Sequence, residues 1–168
     1  HAIDSAPSAE EFAIQAGAKF ELYEYSPDKN SNPFLGMKFD IVFSKSFIEH
    51  ISEPIGYFQW CRTILKDGGK LISLTPDWEA NFKVFYDDVT HVKPFTEISL
   101  KQTLEFTNFQ DIRVFRFRQL PSTWKSNLML LLSRITGTVS HHRAKSKWFR
   151  WSRELMIASV ATYSDGKD

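Results

Sequence analysis

The order of apolar and polar segments between residues 39 and 75 constrains the fold of this chain more than any other feature. The segment Phe39–His50, FDIVFSKSFIEH, begins as an almost continuous apolar strand and ends in small polar residues and an acid–histidine pair. A helix-length segment, Ile55–Leu65, follows, and a Gly-Gly turn then leads into a second apolar strand, Lys70–Thr75. This order predicts a βαβ crossover.

The carboxyl ends of the strands are where ligands bind in open α/β sheets. In this chain that edge carries polar side chains, namely Ser44, Lys45, Ser46, Glu49 and His50. We therefore expect the ligand site at this edge.

Local patterns predict further elements on both sides of the crossover. A helix is expected over Ala9–Ala16, with Ser8 and Glu11 as a capping box. A strand over Lys19–Tyr25 and a loop over Pro27–Gly36 follow. The expected elements of the second half are an aromatic-rich connection over Trp78–Lys93 with one helical turn, a helix opening at Thr96, a strand over Asp111–Phe117, an amphipathic helix over Trp124–Ile135, a basic loop over Ser140–Lys147 and a closing strand over Leu155–Thr162.

Over most of its length the chain resembles the second half of the class I S-adenosylmethionine-dependent methyltransferases. The segment FDIVFSKSFIEHISEP is similar to the fourth strand of that family and its trailing motif, and LKDGGKLISLTPD to the Gly turn and fifth strand. Phe85–Thr96 resembles the loop after that strand in one branch of the family. TEISLKQTLEFTNFQDIRV resembles the final helix leading into the sixth strand, and Glu154–Tyr163 the last strand. The resemblance implies a Rossmann-like three-layer α/β sandwich, with a mostly parallel sheet and an antiparallel last strand.

The resemblance also implies S-adenosylmethionine as the cofactor. In the family, an acidic residue at the end of the second strand binds the ribose hydroxyls of the cofactor, and Asp4 matches that position. The family's first strand and its Gly-rich loop have no match in this sequence, which implies a single domain over residues 1–168 that is truncated at its N terminus. A rival alignment makes His1–Asp4 a degenerate first strand and Glu24 the ribose acid.

Further contacts to the cofactor are expected from Ser44, Lys45 and Ser46, at the end of the fourth strand of the resemblance. Side-chain identity matters less there, because main-chain groups of the family make these contacts.

Two histidines are candidate catalytic bases. His91 lies in the loop that closes over the substrate in the family, and His50 follows the strand. Methyl transfer to oxygen or nitrogen requires removal of a proton, and the pKa of histidine suits that task. The alternative for both rings is a structural role in packing or in hydrogen bonding to the backbone.

Asp87 and Asp88 flank His91 and could orient its ring. The same three residues could also be considered as metal ligands, but no further ligands are spaced to complete such a site. We therefore predict no metal ligands from the sequence.

The distribution of charge is uneven, although the formal net charge is only +1. Between residues 112 and 153 there are ten Lys or Arg residues and no Asp or Glu. Such a run suggests an anionic partner, and a solvated basic face is the alternative. No nucleic-acid-binding motif accompanies it, so nucleic acid is not an expected partner.

A helical insertion over about residues 121–151 interleaves Leu and Trp residues with this basic run. We expect it to form a lid that packs its Leu and Trp side chains on the sheet. The alternative is that it contacts a membrane–water interface or a bulky anionic acceptor.

Together these features predict transfer of a methyl group from S-adenosylmethionine to a small-molecule or lipid-like acceptor, with activity in doubt for a truncated chain. The alternative is a non-catalytic, methyltransferase-like remnant that binds a partner or a membrane. Peripheral membrane contact and a homodimer, which would pair unpaired sheet edges, are further expectations. The single cysteine, Cys61, and the lack of a long apolar run lead us to expect a cytoplasmic protein.

Overall fold

Two separate sheets and six α-helices form the computed structural model, which describes residues 1–26 and 32–166. In chain order the elements are β1 (Ala2–Asp4), α1 (Ala9–Gln15), β2 (Phe20–Leu22), β3 (Phe39–Lys45), α2 (Pro54–Ile64), β4 (Leu65–Pro76), α3 (Trp78–Asn81), α4 (Glu97–Phe106), β5 (Gln110–Phe117), α5 (Asn127–Val139), α6 (Lys147–Arg153) and β6 (Met156–Thr162). Short 3₁₀ turns lie at Ile48–His50, Phe85–Asp87 and Pro121–Thr123. The chain divides into two compact units, His1–Lys38 and Phe39–Asp168.

The first unit is a small parallel β-α-β arrangement. β1 pairs with β2 in parallel, from Ala2 opposite Phe20 to Asp4 opposite Leu22. The capping box predicted for α1 is wrong, because the Ser8 side chain makes no capping hydrogen bond. Ser8 itself has helical φ and ψ angles, whereas a capping side chain needs an extended backbone at that position. The predicted loop over Pro27–Gly36 includes residues 27–31, which lie outside the described residues.

The second unit contains a four-stranded sheet in the order β3–β4–β6–β5. β3 and β4 run parallel, and β6 lies between β4 and β5 and runs antiparallel to both. A parallel crossover followed by an antiparallel last strand confirms the predicted α/β fold class. β3 forms one edge of this sheet, and its Ile41 and Phe43 side chains are exposed.

The crossover itself differs from the sequence expectation at its glycines. β4 already begins at Leu65, and Gly68 and Gly69 form a bulge within it instead of a turn before it. Gly68 has a φ of 72°, in the left-handed region that glycine adopts without steric cost. The bulge still pairs with the end of β6, since Gly68 N donates to Tyr163 O and Tyr163 N donates to Gly69 O.

Helices α2 and α4 pack against each other and against the sheet. α4 begins after Thr96 as predicted, and Thr96 and Ser99 form a capping box there. The largest fully buried apolar side chains of the second unit are Phe58, Phe85, Phe95, Ile48, Ile64, Leu65, Leu71, Leu100, Leu104 and Ile157. Burial raises the pKa of the Cys61 thiol to about 12, so this cysteine is a small core residue held as the neutral thiol.

The insertion does not form the expected lid, because α5 turns its apolar side chains outward. Five of its residues are 43–77% exposed: Leu128, Leu131, Leu132, Ile135 and Val139. Its buried face is made of small residues instead. Ser133 Oγ donates to Ser152 Oγ of α6 at 3.0 Å, and a Cβ on Gly137 would clash with Ser152 O. Small side chains let the two helices approach closely, and Leu128, Leu131 and Leu132 stay exposed.

Part of the predicted basic loop is helical, because α6 begins at Lys147. Among the described residues, no helix has both the length and the apolar character needed to cross a bilayer.

Candidate functional site

The candidate site lies at the carboxyl ends of β3 and β4. At the end of β3, Ser44 is buried and its Oγ donates to Ser73 Oγ of β4 at 3.1 Å, so its side chain is used within the sheet. Lys45 is exposed. Ser46 has a φ of 51° and donates its backbone N–H to Leu74 O. A left-handed serine at a strand end is strained, and such residues concentrate at functional sites.

The 3₁₀ turn after β3 brings an acid into the protein interior. Glu49 has no exposed surface, and its Oε2 accepts a hydrogen bond from Thr75 Oγ1 at 3.0 Å. Burial raises the pKa of this carboxyl group above its ordinary value, while hydrogen bonds and the two nearby histidines oppose that effect. The Glu49 carbonyl accepts from Val92 N and Lys93 N, both at 2.9 Å. The turn is thereby tied to the loop that carries His91.

His50 and His91 lie next to each other, with ring centroids 4.8 Å apart. His91 Nδ1 lies 2.7 Å from Phe85 O, and a carbonyl oxygen can only accept, so Nδ1 carries the proton. His50 Nδ1 lies 3.2 Å from Thr90 O and 2.9 Å from Thr90 Oγ1. The same argument assigns the proton of the neutral His50 ring to Nδ1. Both neutral rings therefore keep the Nε2 lone pair.

The two acids beside His91 have different partners. Asp88 Oδ2 lies 3.8 Å from His91 Nε2. Asp87 instead forms a bidentate ion pair with Arg143, with both N–O distances at 2.9 Å. Hydrogen bonds from Thr90 and Arg143, respectively, lower the pKa values of Asp88 and Asp87. Of the two acids considered for orienting His91, only Asp88 has a described contact with the ring.

A cleft of about 470 Å³ opens beside these residues. Ser46 and His91 line it, together with Asp87 and Asp88. Its other walls combine polar or charged groups with apolar ones: His142, Arg143, Arg150 and Glu154 with Val84, Phe85, Leu155 and Met156. Both arginines are paired with acids of the same lining, Arg143 with Asp87 and Arg150 with Glu154. Such a lining suits a ligand that has both apolar and polar parts.

Comparison with known proteins gives the family. Residues 2–114, two thirds of the chain, match the family model of a methyltransferase domain. The chain belongs to this family. Its fold and cofactor are those of the class I S-adenosylmethionine-dependent methyltransferases.

The relatives agree with this assignment. The chain is 27% identical over 127 residues to a ubiquinone biosynthesis O-methyltransferase of Coxiella burnetii, covering 76% of this chain and 50% of that protein. The methyltransferase domain described here spans half or less of the length of the curated relatives it matches.

Solved structures support the fold. A SAM-dependent methyltransferase from Archaeoglobus fulgidus is similar with a TM-score of 0.61 and 16% identity, over 96% of this chain and 74% of that chain. A chain of the Haloferax volcanii complex between the Trm112 methyltransferase activator and a methyltransferase is similar with a TM-score of 0.68 and 11% identity, over 99% and 72% of the two chains.

Within the methyltransferase domain, the fold brings together some of the residues predicted from sequence. Ser46 and His91 line one cleft, and His50 contacts His91. Ser44 is buried, and Lys45 has no contact that assigns it a role. Asp4, in the first unit, is exposed at the end of β1, and its Oδ1 accepts from Ala6 N at 2.8 Å.

Sequence reasoning missed the polar residues after β4. Asp77 has no exposed side-chain surface, and its Oδ2 accepts from Arg116 Nε of β5 at 2.6 Å. Its Oδ1 accepts from Glu79 N and caps α3. Asn81, which lines the cleft, donates from Nδ2 to Asp77 O at 2.8 Å and to Leu155 O at 2.7 Å. An aspartate at the start of a short helix is a sequence signal for an N-cap at Asp77. The ion pair with Arg116 carries no such signal, because the two residues are 39 positions apart in the sequence.

Proposed function

We propose that this chain transfers the methyl group of S-adenosylmethionine to a small-molecule or lipid-like acceptor bound in the cleft. The observation that carries the proposal is the position of His91, whose ring lines a cleft with both charged and apolar walls in a methyltransferase domain. The cofactor, when bound, supplies an electrophilic methyl group. The protein's task is then to align the acceptor and to manage its proton.

His91 is proposed to remove the acceptor's proton. The hydrogen bond from Nδ1 to Phe85 O fixes the tautomer and leaves Nε2 as the base. Asp88 places a carboxylate oxygen 3.8 Å from that nitrogen. His50 is proposed to act through His91, because its ring contacts that ring and its Nδ1 is tied to Thr90.

Cofactor binding is proposed for Asp4 and for the end of β3. The exposed carboxylate at the end of β1 has the chemistry to accept from two adjacent ribose hydroxyls. One of its oxygens already accepts from Ala6 N, which holds the carboxylate in one orientation. At the end of β3, the strained backbone of Ser46 is the best supported contact, followed by Lys45; Ser44 has its hydroxyl committed to Ser73.

Calorimetric titration with S-adenosylmethionine and with its demethylated product tests the cofactor proposal. We expect both to bind, and we expect Asp4→Asn to weaken binding by about 10–100-fold, the cost of lost charge-assisted hydrogen bonds. The matched control is Glu10→Gln, which removes an exposed acid from α1 of the same unit and should leave the affinity unchanged. Failure of the unaltered chain to bind either compound would favour the non-catalytic alternative.

The exposed face of α5 supports a second proposal, peripheral contact with an anionic membrane surface. Its apolar stripe follows helical spacing, and the five side chains of the stripe are 43–77% exposed among the described residues. The surrounding basic run contains no acid from residue 112 to residue 153. Lys125 and Arg134 are exposed near the stripe. An apolar stripe flanked by cations is the pattern of helices that lie in the interface of anionic bilayers.

Co-sedimentation with vesicles tests this surface. We expect binding to vesicles of phosphatidylcholine mixed with phosphatidylglycerol, little binding to phosphatidylcholine alone, and weakening by salt. The triple variant Leu128→Gln, Leu131→Gln, Ile135→Gln should lose at least about tenfold in affinity, because its apolar stripe is gone. The control, Ile98→Gln with Phe106→Gln, changes two residues of α4 that are each 70% exposed and should bind like the native chain. Equal loss in both variants, or no binding by the native chain, would contradict the proposal.

A homodimer stays a prediction. The exposed Ile41 and Phe43 of the edge strand β3 support pairing with a second copy of the chain.

A further inference from the structure

Three possible metal ligands converge where the 3₁₀ turn meets the loop of His91. One ligand atom each from Glu49, His50 and His91 lies within 4.8 Å of the others. Their proximity was not predicted from the sequence, since 41 residues separate the two histidines. We propose that Glu49, His50 and His91 bind one divalent transition-metal ion, of which Zn²⁺ suits the donor set best.

The buried glutamate is the strongest observation. Glu49 has no exposed surface, and among the described residues its Oε1 has no hydrogen-bond partner, although Oε2 accepts from Thr75 Oγ1. Buried polar atoms are nearly always satisfied in folded proteins, so an orphaned carboxylate oxygen requires an explanation. A cation bound to Oε1 supplies the missing partner.

Hydrogen bonds to Nδ1 orient both histidine rings and leave the other ring nitrogen available for a metal ion. Phe85 O fixes the proton of His91 on Nδ1, and Thr90 fixes that of His50 in the same way. Metal-bound histidines usually donate their second ring N–H to a carbonyl or carboxylate, which orients the ring and keeps the other nitrogen available. Both rings of this cluster therefore have the outer contacts of metal ligands, and Nε2 is the nitrogen each one offers.

Distances and charge are compatible with an ion. Ligand atoms about 2.1 Å from a tetrahedral cation lie about 3.4 Å apart, and one ligand atom from each of the three residues lies within 4.8 Å of the others, so the side chains would move closer together around an ion. Side-chain rotation can provide this movement. Asp88 adds a second negative charge, with Oδ2 at 3.8 Å from His91 Nε2. Two imidazoles and one carboxylate favour Zn²⁺ and similar ions over Mg²⁺, which prefers oxygen ligands.

The catalytic consequence rests on the proposed function, but binding itself does not. A cation beside the cleft would bind the hydroxyl oxygen of an acceptor and lower its pKa, so that the proton leaves to water. The cation would then replace His91 in activating the acceptor, because a metal-bound Nε2 is not free to take up a proton.

Zinc binding is measured on chain that has been stripped with a chelator, without cofactor or acceptor, by competition with a chromophoric chelator. We expect one Zn²⁺ per chain, and a visible Co²⁺ spectrum typical of a four-coordinate site with nitrogen and oxygen ligands. Glu49→Gln and His91→Asn should each weaken Zn²⁺ binding by more than about 100-fold. Substitution of residues that only hydrogen-bond to metal ligands typically lowers metal affinity by about 10–100-fold, and loss of a ligand should cost more. Glutamine can keep the hydrogen bond with Thr75, and asparagine that with Phe85 O, so folding of each variant is checked by unfolding without metal.

Two exposed histidines outside the cluster provide matched controls. His141→Asn and His1→Ala remove imidazoles that could bind zinc adventitiously and should leave the affinity unchanged. The proposal is overturned if the native chain binds no zinc, if Glu49→Gln binds zinc as the native chain does, or if binding is lost in a control variant. Because the titration contains no S-adenosylmethionine, its failure is separate from a failure of methyl transfer.

Discussion

Replacing His91 by Asn is expected to lower kcat for methyl transfer by about 10²–10⁴-fold, the usual contribution of a positioned acid or base. Asparagine can still donate to Phe85 O, the partner of His91 Nδ1, but it has no basic nitrogen in place of Nε2. The affinity for S-adenosylmethionine should stay close to that of the native chain. Turnover is measured with excess cofactor on each acceptor that the native chain methylates.

The pH dependence distinguishes a catalytic role of His91 from a structural one. A loss caused by a missing base shrinks at high pH, because a growing fraction of the acceptor is already ionised. A loss caused by a distorted loop does not depend on pH in this way. His141→Asn is the matched control and should keep native turnover. Native turnover in His91→Asn would contradict the assigned role.

Replacing Asp77 by Ala is expected to lower the free energy of unfolding by about 3 kcal/mol, the sum of a lost helix cap and a lost charge-assisted hydrogen bond. The side chain is fully buried, and it joins β4 to Arg116 of β5 while capping α3. Loss of one member of a buried ion pair costs about 3–5 kcal/mol. The lower end applies because Arg116 is 43% exposed and also pairs with Glu79.

Urea unfolding followed by circular dichroism measures this change. Asp77→Asn keeps an oxygen that can accept from Glu79 N and should lose less stability than Asp77→Ala. The control is Asp40→Ala, which removes an exposed ion pair with Lys66, and its unfolding midpoint should move far less. Equal shifts of the unfolding midpoint in the Asp77→Ala and Asp40→Ala variants would show that the buried ion pair stabilises the fold no more than the exposed one.

Most of the fold could be predicted from local patterns. The strand at Phe39, the helix after Pro54 and the strand ending at Pro76 follow the predicted βαβ order, with bounds shifted by a few residues. These signals are strong because each element carries its own apolar period and its own terminator. The Gly-Gly bulge was misassigned, because Leu65 already pairs with Phe39 of β3 and the two glycines exchange hydrogen bonds with Tyr163.

The outward face of α5 shows where an apolar pattern is insufficient. Helical spacing of Leu128, Leu131 and Ile135 predicts one apolar face, but it does not say what covers that face. The closer contact is made by the opposite face, where Ser133 and Gly137 allow the backbone of α6 to approach. Small residues carry little signal in a hydrophobicity pattern, so this choice became visible only in the folded chain.

By itself, the sequence determined the class of fold, the edge of the sheet that carries the polar residues and the two histidines worth testing. Those properties depend on the local period of apolar residues and on the rule that strand ends face ligands. Only the tertiary structure decided that Glu49 is buried with an unsatisfied oxygen, that His50 and His91 are neighbours and that Asp77 pairs with Arg116. These contacts join residues that are 26 to 41 positions apart in the sequence. The distance in space between such residues is set by the packing of the whole sheet and its loops.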